Sequence, residues 1–183
     1  MKISGSQPRV RTCHLGEPAL GANASILADT AMDAADPTIL TVDEIGGQPD
    51  VPRNLTVKGN DANVAGNVEV SGTNAFGELI TETIALAGVA VVAGSKAFAT
   101  VHQIQLPKYT AAATERVRVG TGAKLGLPLL LWRDTVLAAF RDGAREANRP
   151  TVAVSADAVE SNTVTLSSAL DGSPVVVDLY ETH

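Results

Sequence analysis

The feature that most constrains this chain is a series of short runs in which apolar residues recur at every second position, each closed by a turn signal. Residues 54–58 carry Leu55 and Val57, and residues 67–71 carry Val68 and Val70. Such alternation is the mark of a half-buried strand. Between the two, Gly59-Asn60-Asp61 supplies residues that tolerate positive φ. Residues 79–86 alternate imperfectly, but their threonines and isoleucines favour a pleated strand over a helix. Residues 89–92 and 96–106 continue the series until Pro107, and 116–119 alternate charge with valine, as a strand with one wet face does.

Further strand-like runs occupy residues 151–155, 163–166 and 175–180, with Asp142-Gly143 and Asp171-Gly172 as turn signals. Residues 135–140 fit either a strand or a turn and a half of helix, since periodicity cannot decide at that length. Short strands spaced about 8 to 12 residues apart, with no long helix alternating between them, predict an all-β antiparallel sandwich or barrel. A doubly wound α/β fold is disfavoured for the same reason.

Three regions differ in texture. Residues 1–48 read as an N-terminal arm with one short helix over 24–35. Leu27, Ala28, Ala31, Met32 and Ala35 fall on one stripe, Asn23 caps the start and Pro37 ends it. That helix either packs on its own domain or belongs to an arm reaching a neighbouring subunit. Residues 49–134 form the sandwich body. Residues 135–183 either complete the sandwich or make a C-terminal β extension.

Composition narrows the function. The 183 residues include 14 basic and 20 acidic side chains, a net charge of −6. This disfavours nucleic acid as a partner, because phosphate must be neutralised by Lys and Arg. Aromatic content of 3% leaves little for a base-stacking platform. The lone Cys13 excludes an internal disulfide, as suits assembly in a reducing cytosol. Cys13 and His14 are adjacent, but His102 and His183 lie far off without metal-ligand spacing, so no metal is expected. The longest apolar stretch, residues 84–93, is about half what a membrane helix needs, so no membrane span is expected.

Motifs for chemistry fail in turn. Gly120-Thr121-Gly122-Ala123-Lys124-Leu125-Gly126 invites a phosphate-loop reading, but Leu125 follows Lys124 where Ser or Thr is required. A glycine-supported turn is expected there. Residues 61–66 resemble the start of a calcium loop, yet Ala65 replaces an oxygen ligand, and a structural turn is expected. No Gly-x-Ser-x-Gly elbow occurs. The expectation is a chain with no catalytic residue and no cofactor. Candidate partner contacts are Arg9 and Arg11 in the arm, Leu27 and Met32 on the helical stripe, and Trp132 after three consecutive leucines. Trp132 is either the rim of a core strand or an apolar anchor at a subunit contact.

The order and spacing of several segments carry a resemblance. They are Pro52-Arg53-Asn54-Leu55-Thr56-Val57, residues 68–74, "GELITETI" at 77–84, residues 92–101, 104–107, "VGTGAKLGLP" near 119–128, 134–137 and 160–164. Together they cover most of residues 51–180 and look like a small β-rich virion structural protein of tailed bacteriophages, of the head decoration (cement) type. The resemblance implies a non-enzymatic particle component that binds the major capsid protein on the outer head surface. It further implies assembly in the host cytoplasm and a homo-oligomer on the shell. A tail or baseplate component built on the same sandwich is the nearest alternative, and a receptor-binding β module the next.

Overall fold

The computed structural model describes residues 9–181. Its strands are β1 (Arg9–His14), β2 (Leu27–Ala31), β3 (Thr38–Thr41), β4 (Arg53–Gly59), β5 (Asn67–Thr73), β6 (Leu79–Ala85) and β7 (Val92–Phe98). There follow β8 (Thr100–Leu106), β9 (Arg116–Gly126), β10 (Val136–Arg141), β11 (Ala144–Arg145), β12 (Thr151–Ala153), β13 (Thr163–Thr165) and β14 (Val175–Glu181). One 3-10 turn spans Val159–Ser161, and no α-helix occurs among the described residues. The all-β antiparallel expectation holds.

The strands form three antiparallel sheets. One has the order β3-β8-β5-β6, a second β12-β13-β9-β4-β7 with β2 also on β9, and a third β1-β14-β10-β11. The architecture includes a curled half-barrel, and the second sheet lies between the two others. Against its β4 and β7 side packs the first sheet, enclosing a core that includes Leu55, Val57, Val70, Phe98, Ile104 and Val119. Against its β13 side packs the third sheet, enclosing a second core that includes Leu125, Leu127, Val164, Val177 and Leu179. The eleven-residue β9 therefore serves both cores, with Val117 and Val119 in one and Leu125 in the other.

The short helix expected over residues 24–35 is replaced by β2. An isolated helix of about 12 residues is marginal in water, whereas here the backbone of Leu27, Thr30 and Ala31 pairs with Val119, Val117 and Arg116 of β9. Asp29 adds a two-pronged ion pair to Arg118, at 2.5 and 2.6 Å. From Arg9 onward, the segment expected as an arm is built into the sheets. Its β1 registers along all six residues with β14, and β3 pairs with β8. Residues 135–181 share the second core with β1 and the end of β9 rather than standing apart.

The glycine-rich run at 120–126 is no turn; it lies inside β9. Glycine is needed there for close approach, since a Cβ on Gly120 would collide with the Ala22 carbonyl and one on Gly122 with the Asn54 side chain. The hairpin β10–β11 closes through Asp142 and Gly143 at φ of 50° and 72°, the paired left-handed geometry of a two-residue turn. Residues 61–66 make the expected structural turn, with Asp61 Oδ1 accepting from the Asn63 amide at 2.9 Å.

Buried polar side chains pin these elements together. Arg53, 1% exposed, donates to the carbonyls of Gly122 at 2.8 Å and Ala19 at 2.9 Å and to Asp50 at 2.9 Å. Burial pushes the Asp50 carboxyl up, but the Arg53 bond and the Ala19 amide outweigh it and hold it below the usual range. Gln48 works as a one-residue strand, accepting from the Val101 amide at 2.7 Å and donating to its carbonyl at 2.9 Å. Between β6 and β7, Glu82 Oε1 accepts from Ser95 N at 2.6 Å and Lys96 N at 3.3 Å, so a carboxylate bridges two strands that do not share a ladder.

Candidate functional site

Residues 125–132 leave β9 and run over the second core. Leu125, Leu127, Leu129 and Leu131 point inward and are buried, which turns Leu130 and Trp132 outward at 46% and 83% exposure. The phase of this alternation is fixed by Asn162, itself fully buried. Its Oδ1 accepts from the amides of Leu131 at 3.2 Å and Ser155 at 2.8 Å, and its Nδ2 donates to the carbonyls of Ser155 at 2.9 Å and Ala158 at 3.0 Å. All four hydrogen-bonding positions of the amide are used. A large exposed indole on a backbone held this firmly is displayed at a fixed place and has only two χ angles to order on contact, a property of interface anchors.

Directly after Trp132 in the chain, residues 133–137 wall a cleft of about 540 Å³ together with Arg149 and Tyr180, and its charged side chains are Arg133, Asp134 and Arg149. A second hollow of about 420 Å³ shares Leu137 and Arg149 and reaches Arg145 and Pro150. Arg149 is fixed at the junction by Asp134 Oδ2 at 2.7 Å and the Val136 carbonyl at 3.1 Å. The side chains of Arg133 and Arg145 make no hydrogen bond or ion pair with any described residue and are exposed. Thr135 has its hydroxyl buried with no hydrogen-bond partner among the described residues. Leaving such a group unpaired costs about 1–3 kcal/mol. The arrangement sets apolar surface beside cationic charge, which suits a partner surface carrying apolar and acidic side chains.

The residues singled out from sequence divide. Trp132 is not at the rim of a core strand but well out in solvent. Arg9 and Arg11 lie exposed on β1, but its Val10 is the register partner of Tyr180 on the cleft wall, so strand alternation turns both arginines to the other face of the sheet and neither lines the site. Nor do Leu27 and Met32: each is 4% exposed inside the first core, because strand pairing with β9 turns both inward. They cannot be contact residues on the folded surface. Sequence reasoning missed Arg133, Arg149, Leu137 and Tyr180. Arg149 sits in no run singled out from sequence, and Tyr180 looked like one more alternating strand position. The available signal was the pairing of Trp132 with an adjacent arginine.

Fold and surface together define an all-β antiparallel protein with two cores and an apolar, cationic cleft. Comparison with family models, with curated proteins and with solved structures finds no significant match. No helix among the described residues is long and apolar enough to cross a membrane.

Proposed function

We propose that this chain is a non-enzymatic structural component of a tailed-bacteriophage virion. In this reading it is a decoration protein that binds the major capsid protein on the outer face of the head and stabilises the shell. The sequence resemblance over residues 51–180 supports the reading. The observation that carries it is the Trp132–Leu130 pair, displayed on a loop that Asn162 holds by four hydrogen bonds. Rigid display of an apolar anchor suits repeated, multivalent adhesion, in which many modest contacts add across a lattice. A net charge of −6 suits a position outside the shell, away from packaged DNA.

Cryo-electron microscopy of the parent particle tests this. Density for the chain repeating with icosahedral symmetry over the head is the expected result. Density in rings along the tail, or at the baseplate, refutes decoration in favour of a tail role.

A further inference from the structure

We infer that the Trp132 cleft is a self-association site, and that its occupant is the acidic β3 edge of a second copy of this chain. The inference goes beyond where the particle carries the protein and does not depend on it.

Charge is distributed unevenly along the chain. Residues 15–126 hold twelve carboxylates and seven basic side chains, so five of the six net negative charges fall on the part that builds most of the first core. Within that part, β3 is an edge strand, paired only with β8. Its Ile39 and the following Val42 are exposed at 52% and 53%. Asp36 and Asp43 bracket them and are exposed, with side chains that make no described hydrogen bond or ion pair. Their neighbours are already engaged: Asp33 accepts from the Ala35 amide at 2.7 Å and Glu44 from the Thr41 amide at 2.8 Å.

The cleft is the complement. Exposed Leu137 lines it, with Arg133 in the same wall and Arg145 in the adjoining hollow, two cations without partners among the described residues, and exposed Leu130 and Trp132 stand on the chain that leads into it. Apolar side chains meet apolar side chains, and two free carboxylates meet two free guanidiniums, which can take them in a bidentate fork. Because Glu44 caps the open Thr41 amide, docking proceeds through side chains and not by extending the sheet. Cleft and edge are different surfaces of one chain. The contact is therefore head to tail, and either closes into a ring or propagates.

Sedimentation velocity of the full-length chain over a range of concentrations, at low and high salt, reads this directly. Reversible association beyond the 18.8 kDa monomer, weakened by salt, is expected. Trp132→Ala, the pair Arg133→Glu with Arg145→Glu, and the pair Asp36→Arg with Asp43→Arg should each weaken association at least about tenfold. Combining the two charge pairs in one chain keeps the net charge and should restore association. Circular dichroism melts confirm that each variant is folded. A monomer at the highest soluble concentration overturns the inference, as does association that none of these changes weakens. A particle carrying the chain elsewhere than on the head would overturn the proposed function and leave this result untouched.

Discussion

Removing residues 1–48 withdraws β1, β2 and β3, and with them the buried side chains of Cys13, Leu15, Ile26, Leu27, Met32, Leu40 and Ile45. Burying one such side chain contributes about 1.5–3 kcal/mol, so the seven together contribute on the order of 10–20 kcal/mol. Residual burial in the unfolded chain trims this by roughly 10–40%. What remains still rivals the whole stability of an ordinary domain, about 5–15 kcal/mol. The cut also strips partners from β14, β8 and β9, leaving three fresh strand edges, a known route to aggregation. A free arm would behave otherwise, since its loss would leave the body intact. The truncated chain is therefore expected to be unfolded or aggregated at room temperature. Far-UV circular dichroism with urea titration, beside amide dispersion in a proton–nitrogen NMR spectrum, makes the measurement. Cooperative unfolding of the truncated chain, with a midpoint matching that of the full chain, would refute the claim that these strands are integral to both cores.

Four further outcomes follow from particular contacts. Asn162→Ala removes four hydrogen bonds and leaves the Ser155 amide without an acceptor among the described residues, while Leu131 N still donates to the Ser155 carbonyl and Ser161 N to the Ala158 carbonyl. At about 0.5–1.5 kcal/mol per bond it should cost roughly 2–6 kcal/mol; urea titration followed by circular dichroism reads it, since the exposed Trp132 is a poor fluorescence reporter of unfolding. Leu27→Ala and Met32→Ala should each cost about 2–5 kcal/mol, while Trp132→Ala should shift monomer stability by no more than about 0.5 kcal/mol; equal costs for all three would contradict the assigned burial. Glu115 accepts from the amides of Thr110, Ala111 and Ala112, which holds its carboxyl below the ordinary glutamate value of 4.5. With the folded value depressed, its contribution is complete above 4.5 and is lost as pH falls through the folded value; melting temperatures should drop on acidification below that point, and less steeply in Glu115→Gln. Gly143→Val places a β-branched side chain at φ 72° with nothing within 4 Å to clash, so any loss is backbone strain, about 1–2 kcal/mol; an unchanged urea midpoint would exclude the left-handed turn.

Much of the strand series was legible because the period of two survives wherever one face is buried. β4, β5, β6, β13 and β14 fall within a residue or two of the runs read from sequence, and β10 resolves as a strand the run at 135–140 that had left strand and helix open. The failures have local causes. Residues 96–106 read as one strand, yet the chain changes sheets at Ala99, whose amide donates to the Thr73 carbonyl at 2.8 Å. Phe98 before that corner and Val101 after it are both fully buried, so the apolar pattern continues while the backbone turns away. At 24–35 the small and aliphatic residues satisfy a helical stripe as well as a strand, and the choice was made by β9, which is remote in sequence. The glycines at 120–126 suggested a turn because glycine's freedom is the familiar reason for its use. Here the reason is the space taken by Ala22 and Asn54.

The candidate site was half legible for a related reason. The run at 125–132 announces four leucines and a tryptophan, and local pattern leaves open which of them face in. That phase is set from outside by Asn162, thirty-odd positions onward, whose amide group holds the backbone at Leu131 and so commits Trp132 to solvent. Cationic character at the cleft arises the same way, from Arg133 at one end of a strand and from Arg145 and Arg149 on the far side of the next hairpin, gathered only when β10 folds back on β11. A surface that draws on residues 133–139, 145–150 and the remote Tyr180 has no local signature. Its mark is one of exposure instead: Trp132 stands at 83% beside two solvated guanidiniums that have no partner among the described residues.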